Sequence, residues 1–253
     1  MAEKNGGGIL LVTEGVFGMS GNQGRIKEIV ALKQKYHFRL LIDDAHGFGA
    51  MGPTGAGADE AQGCQEGVDL YFSTFVKSMG SIGAFISGPK KIMTYLRYNV
   101  RSQIFAKSLP LIVVEGMLKR MEMLQHMPEL REKLWHNVTQ LQHGLRAKGF
   151  DIGSTNSPVT PVFMKGDLPE ATNMVMDIRE NYHIFCSVVV FPVIPKGQII
   201  YRLIPTAAHS DEDTTLTLHA FEETKKKLDA GAYKADDIPD MADIAGYGQK
   251  GDM

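Results

Sequence analysis

Two short apolar runs with one helical stretch between them limit what this chain can fold into more than anything else in it. Ile9–Thr13 is continuously apolar up to its final threonine. Residues 18–24 are turn-rich, and Arg25–Tyr36 carries apolar residues at Ile26, Ile29, Val30 and Leu32. Arg39–Asp43 is apolar again between its basic first residue and its acidic last one. Recurrence at three and four positions marks one face of a helix, and short unbroken apolar runs mark strands covered on both faces. Strand, helix and strand joined this tightly make a βαβ unit with parallel strands and a right-handed crossover. Ile9–Thr13 is accordingly expected to be a buried strand.

The same reading extends along the chain. A long Gly-rich loop covers residues 47–67, with a short helical stretch near 58–62. Val68–Ser73 and Gly83–Ser87 read as a third and a fourth strand. Helices are expected over 110–124, with Met117, Leu118, Met121 and Leu124 on one face, and over 129–148, with a hinge at Met127–Glu129. A smaller α+β pattern follows, with strands near 158–164, 184–190 and 199–204 and helices near 169–181 and 210–229. The fold class is α/β, with a mainly parallel sheet in a larger domain (residues 1–126), a smaller α+β domain (127–230) and a disordered tail (231–253).

Composition removes several functions. Twenty-seven basic against 29 acidic side chains leave a formal charge of −2, which favours neither nucleic acid nor a membrane surface. The run Lys225–Lys227 reads as the solvated face of a terminal helix. No apolar stretch is long enough to span a bilayer. Two cysteines, Cys64 and Cys186, lie far apart without CxxC spacing, and the eight histidines show no HExxH. A disulfide framework and a metal centre are not expected, and a reducing cytoplasm fits.

Chemistry gathers at two strand ends. Leu40–Asp43 is followed by Asp44, Ala45 and His46; Tyr71–Thr74 is followed by Phe75, Val76 and Lys77. In open parallel sheets ligands bind at the carboxyl ends of strands. An acid and a histidine after one strand, with a hydroxyl and a lysine after the next, are the groups that a pyridoxal 5′-phosphate (PLP) site needs. Lys77 would form the Schiff base, Asp43 would hold the pyridine nitrogen protonated, Thr74 would donate to the phosphate and His46 would lie against the ring. Lys77 is expected to be buried, which would lower its pKa and favour imine chemistry. Gly47, Gly49 and Gly52 satisfy GxGxxG, but Pro53, Gly55 and Gly57 follow where a dinucleotide fold needs a helix N-terminus, so that reading is set aside.

Four segments together resemble one family. Thr13–Phe17 (Thr-Glu-Gly-Val-Phe), Asp43–Gly49 (Asp-Asp-Ala-His-Gly-Phe-Gly), Ser73–Ser78 (Ser-Thr-Phe-Val-Lys-Ser) and Arg202–His209 (Arg-Leu-Ile-Pro-Thr-Ala-Ala-His) are similar, in order and separation, to the α-oxoamine synthases. The resemblance covers roughly residues 5–229. It implies the PLP-dependent fold type I (aspartate aminotransferase-like) and condensation of a small amino acid with an acyl-CoA. It assigns Asp43 to the pyridine nitrogen, His46 to the cofactor's phenolic oxygen and Thr74 to the phosphate. Lys77 becomes the lysine that holds the cofactor and moves the α-proton, and Arg202 the residue that pairs with the substrate carboxylate. It also implies a homodimer.

Two departures from the family pattern stand out. Members often carry a serine, contributing to the cofactor site, where this chain has Gly18. The family also has a further segment ahead of the strand at Ile9, so the chain is expected to be the C-terminal part of a longer enzyme. The leading expectation is glycine C-acetyltransferase (2-amino-3-ketobutyrate CoA ligase). The alternatives are serine palmitoyltransferase or 8-amino-7-oxononanoate synthase, and an inactive fragment that acts only through a partner chain.

Overall fold

The computed structural model describes residue 4 and residues 6–234. Within them the chain forms two compact units, the first drawn mainly from the residues up to 138 and the second from 139–153, 161–204 and 209–234.

The first unit is built on a four-stranded sheet in the order β1 (Leu10–Glu14), β2 (Arg39–Asp43), β3 (Leu70–Thr74) and β4 (Ala84–Ser87). The first three strands are parallel. Glu14 sits opposite Asp43, and Asp43 opposite Phe72, so all three end at one edge of the sheet. β4 runs antiparallel to β3, with Thr74 opposite Ala84. The crossover from β1 to β2 is α1 (Ile26–Ala31), which tightens into a 3₁₀ turn over Leu32–Gln34. Ile26 is fully buried and packs with Val16, Leu40, Ile42, Met51, Ala58 and Cys64. Between β2 and β3 lie the short α2 (Ala58–Ala61) and a 3₁₀ turn over Gln65–Gly67.

The expectation that the first strand is buried on both faces is corrected here. β1 lies at the end of the sheet order, and Leu10 and Val12 are 55% and 60% exposed, while Leu11 turns toward the core. A continuous apolar run cannot show whether a second layer covers both faces of a strand, and among the described residues only the Leu11 face of β1 is covered.

Beyond β4 come α3 (Lys90–Asn99), α4 (Arg101–Phe105), α5 (Leu111–His126) and α6 (Pro128–Ala147). Pro89 and Pro110 stand at the N-caps of α3 and α5. Met117 of α5 is buried with Phe48 and Met79. Phe85 of β4 packs edge-on to Phe48 and stacks near Phe75.

The second unit has a three-stranded sheet, β5 (Thr160–Lys165), β7 (Gln198–Leu203) and β6 (Ser187–Val189), in that order, with β6 and β7 antiparallel. α7 (Leu168–Tyr182) and α8 (Asp211–Asp229) cover it. Both helices start in a capping box, Asp167 with Glu170 and Ser210 with Asp213, which satisfies donors that a helix N-terminus otherwise leaves open. Tyr201 and Phe221 form the centre of its core. The tail was expected from residue 231, but Gly231–Lys234 belong to this unit. Tyr233 is buried, its hydroxyl donates to Asp177 Oδ2, and its carbonyl accepts from Asn173. Residues 235–253 of that tail lie outside the described residues.

Candidate active site

Parallel pairing brings three strand ends to one edge, and the candidate residues stand on them. Asp43 closes β2. Its Oδ1 accepts from Ala45 N at 3.0 Å, an Asx turn that bends the chain away from the sheet. Among the described residues its second carboxylate oxygen accepts nothing, and the side chain is half-buried. Thr74 closes β3 two residues past the partner of Asp43. Its Oγ1 accepts from Val76 N at 3.1 Å, which engages a lone pair and leaves the hydroxyl proton to donate.

Lys77 follows in the turn 75–80, where Gly80 takes φ 53°. The expectation of a buried amine is not met. Lys77 is exposed, because the turn carries it past the sheet end together with Val76, itself 63% exposed. The turn is nevertheless held. Ser81 N donates to Phe75 O, Met79 is buried, and Ser78 packs against Gly49 so closely that a Cβ there would come within 2.6 Å of Ser78 Oγ. Gly49 and Gly52 take positive φ in a series of turns, and the helix that follows them begins only at Ala58. The loop after β2 and the turn after β3 are thus in contact, and Asp43, His46, Thr74 and Lys77 gather at one end of one sheet. Arg202 belongs to the second unit, half-buried on β7 opposite Ser187.

His46 is half-buried and lies directly against Gly18. A Cβ at position 18 would meet its Nε2 at 2.4 Å. Glu14, at the end of β1, accepts from Gly18 N through Oε2 at 3.3 Å.

Sequence reasoning passed over Asp44, the most deeply set acid of the first unit. Its side chain is fully buried. Oδ2 accepts from Ala58 N at 2.8 Å and from the Tyr71 hydroxyl at 2.9 Å, while among the described residues Oδ1 has no hydrogen-bond partner. Gly15, Gly47 and Gly57 wall it in, and a Cβ at any of them would fall about 2 Å from a carboxylate oxygen. Burial pushes its pKa from 3.8 to about 7, against the hydrogen bonds from Ala58 and Tyr71 and with help from Asp59 and Asp43. Tyr71 in turn is pushed well above the usual tyrosine range by burial and by Asp44. The signal for Asp44 was present in the strand alternation, since Leu40, Ile42 and Asp44 fall on one face and all three are fully buried.

The donor set matches PLP. A carboxylate oxygen suits a protonated pyridine nitrogen, a hydroxyl at a strand end suits a phosphate, and an amine on the adjoining turn suits the aldehyde carbon.

Comparison with known proteins points the same way. The family described as aminotransferase class I and II matches residues 1–221. A cysteate-C-fatty acyltransferase of Capnocytophaga ochracea is 61% identical over 235 residues, covering 93% of this chain and 56% of that protein. An 8-amino-7-oxononanoate synthase of Petrotoga mobilis is 34% identical over 219 residues, covering 87% of this chain and 55% of that one. Among solved structures, the serine palmitoyltransferase of S. paucimobilis with bound PLP and myriocin superimposes with a TM-score of 0.83 at 30% identity, covering 88% of this chain and 56% of that one. The chain therefore spans about half the length of the curated relatives it matches.

Proposed function

The chain belongs to the aminotransferase class I and II family and, within it, to the α-oxoamine synthases, and from that premise we propose that it carries the cofactor lysine of a PLP-dependent C-acyltransferase that joins a fatty acyl group to an amino acid of the cysteate type. The observation that carries the substrate is the 61% identity to a cysteate-C-fatty acyltransferase, against 34% for the 8-amino-7-oxononanoate synthase above. Support thus lies with the longer-acyl members of the family rather than with glycine C-acetyltransferase.

Bound PLP supplies the electron sink that makes the amino acid's α-carbon nucleophilic. This chain's own residues would hold and use that group. Asp43 would keep the pyridine nitrogen charged, and Thr74 would donate its hydroxyl proton to the phosphate. His46 would donate to the phenolic oxygen. Lys77 Nζ would hold the cofactor and, once released from it, take the α-proton. Arg202 pairs with the substrate carboxylate, a task suited to the two parallel N–H groups of a guanidinium. Exposure of Lys77 fits a residue whose partner is a ligand. Among the described residues no helix is long and apolar enough to cross a membrane, and we place the reaction in the cytoplasm, in a homodimer.

The test is a substrate comparison with PLP present. Cysteate, serine, alanine and glycine are each offered with long-chain and with acetyl-CoA, and thiol release is followed. Cysteate with the long-chain donor should turn over fastest. Fastest turnover of glycine with acetyl-CoA would return the reading to glycine C-acetyltransferase.

A further inference from the structure

Gly18 carries no chemistry, yet the structure puts it in van der Waals contact with the His46 imidazole. The loop around it is rigid. Phe17 N donates to Asn22 O, Gly21 N to Phe17 O and Gly24 N to Gly15 O, each within 3.0 Å, and Gly18 N donates to Glu14. His46 is equally fixed at its backbone, because Gly47 N and Phe48 N on its C-terminal side both donate to Asp44 O, and Gly47 is pressed against the Asp44 carboxylate. Of the two sides of this contact, the imidazole is the side chain. A Cβ at position 18 would lie 2.4 Å from Nε2, 3.0 Å from Cδ2 and 3.1 Å from Cε1. Ordinary contact begins near 3.5 Å, so the ring would have to retreat by about 1 Å. Gly18 is not among the positive-φ glycines, so its backbone accepts alanine and the effect of a side chain there is purely one of volume.

We propose that Gly18, seated on the loop that Glu14 closes, is a positioning residue that sets where the His46 imidazole stands, and that the missing side chain at 18 is what gives this chain its His46 geometry at the cofactor. The inference rests on the proposed function, in which His46 lies against PLP. A reacting group displaced by about 1 Å loses on the order of a hundredfold in rate, so a single methyl group at position 18 should be felt in catalysis through His46.

The test is a double-mutant cycle in the PLP-loaded protein, with Gly18→Ala, His46→Asn and the two combined, and with Gly18→Val as a second, larger probe of volume. The readouts are cofactor affinity from fluorescence titration, the visible circular dichroism of the lysine-bound cofactor, and kcat and KM. Gly18→Ala and Gly18→Val should bind PLP within a few-fold of the parent, change the dichroism, and lower kcat about a hundredfold or more with little change in KM. In the His46→Asn background Gly18→Ala should change the dichroism no further. An unchanged dichroism and kcat in both Gly18 variants would overturn the proposal, as would an equal effect with and without His46. If the parent takes up no PLP at Lys77, the functional reading falls and this inference with it. If the parent is loaded at Lys77 and Gly18 is silent, this inference alone falls.

Discussion

Asp44→Asn should stabilise the first unit, and only above acidic pH. The wild-type carboxyl is buried with one oxygen unpartnered, and its pKa lies at about 7 against 3.8 for an ordinary aspartate. Below pH 3.8 folded and unfolded chains both hold the proton and Asp44 contributes no pH dependence. Between 3.8 and 7 the unfolded chain has lost the proton and the folded chain keeps it. Stability then falls with rising pH at about 1.4 kcal/mol per pH unit. Across that window the loss is about 4 kcal/mol, and above pH 7 the curve is level. Asparagine has the same shape, can accept from Ala58 N and the Tyr71 hydroxyl through its carbonyl, and carries no charge. The two proteins should match near pH 4 and diverge by up to about 4 kcal/mol in favour of asparagine by pH 7.5. Trp135 is the sole tryptophan and packs on the core of this unit, with its Nε1 donating to Ala50 O. Its fluorescence in denaturant titrations at a series of pH values reports the difference directly, since other titrating groups cancel between the two proteins. A difference that stays flat from pH 4 to 7.5 would refute the reasoning and show that Asp44 is ionised throughout.

Three other outcomes follow from the same geometry. Borohydride treatment of the PLP-loaded protein should fix the cofactor to the peptide containing Lys77, and Lys77→Ala should abolish both the visible band and the label. Asp43→Asn should lower kcat with little effect on KM, whereas Arg202→Ala should raise KM for the amino acid by about 2–3 kcal/mol of lost charge-assisted pairing, a split read from steady-state kinetics. Asp69 behaves oppositely to Asp44. Burial would raise its pKa, but hydrogen bonds from Lys33, Leu40 N and Arg39 outweigh it and bring it to about 2. Its contribution is present above pH 3.8 and is lost as pH falls toward 2, so Asp69→Asn should cost about 2 kcal/mol at neutral pH and almost nothing at pH 2 by denaturant titration.

The strand ends were legible because strand-terminal acids and hydroxyls interrupt apolar runs. β2 falls on the expected residues Arg39–Asp43, and β3 closes on Thr74, so Asp43 and Thr74 stand where the pattern placed them. α3 and α4 were not read at all. Neither contains a buried residue, and Tyr95, Tyr98 and Phe105 are strongly exposed; α3 does carry apolar Ile92, Met93 and Leu96 at helical spacing among Lys90, Lys91 and Arg97, a signal left unused. The exposure of Lys77 could not be read either. Flanking small residues signal a turn at a strand end, but not which way that turn carries the side chain. Asp44 was hidden beside Asp43, since an acidic pair reads as one feature until strand alternation assigns its members to opposite faces. The Arg202 motif was legible as a pattern, and its place on β7 follows from the apolar run Ile199–Leu203 interrupted by that one charge.

The glycine enclosure of Asp44 has a consequence for how related chains can vary. Gly15, Gly47 and Gly57 are distant from one another in sequence, yet each is excluded from gaining a methyl group by the same carboxylate. A lengthening to glutamate at 44 meets the same three walls from inside. Positions 15, 44, 47 and 57 are therefore a single inherited unit. Drift at Gly15 or Gly47 becomes tolerable only after residue 44 shrinks, so sequences that have lost the acid at 44 are where alanine or serine should begin to replace those two, whereas Gly57 stays held by its φ of 130° and by the Tyr71 hydroxyl.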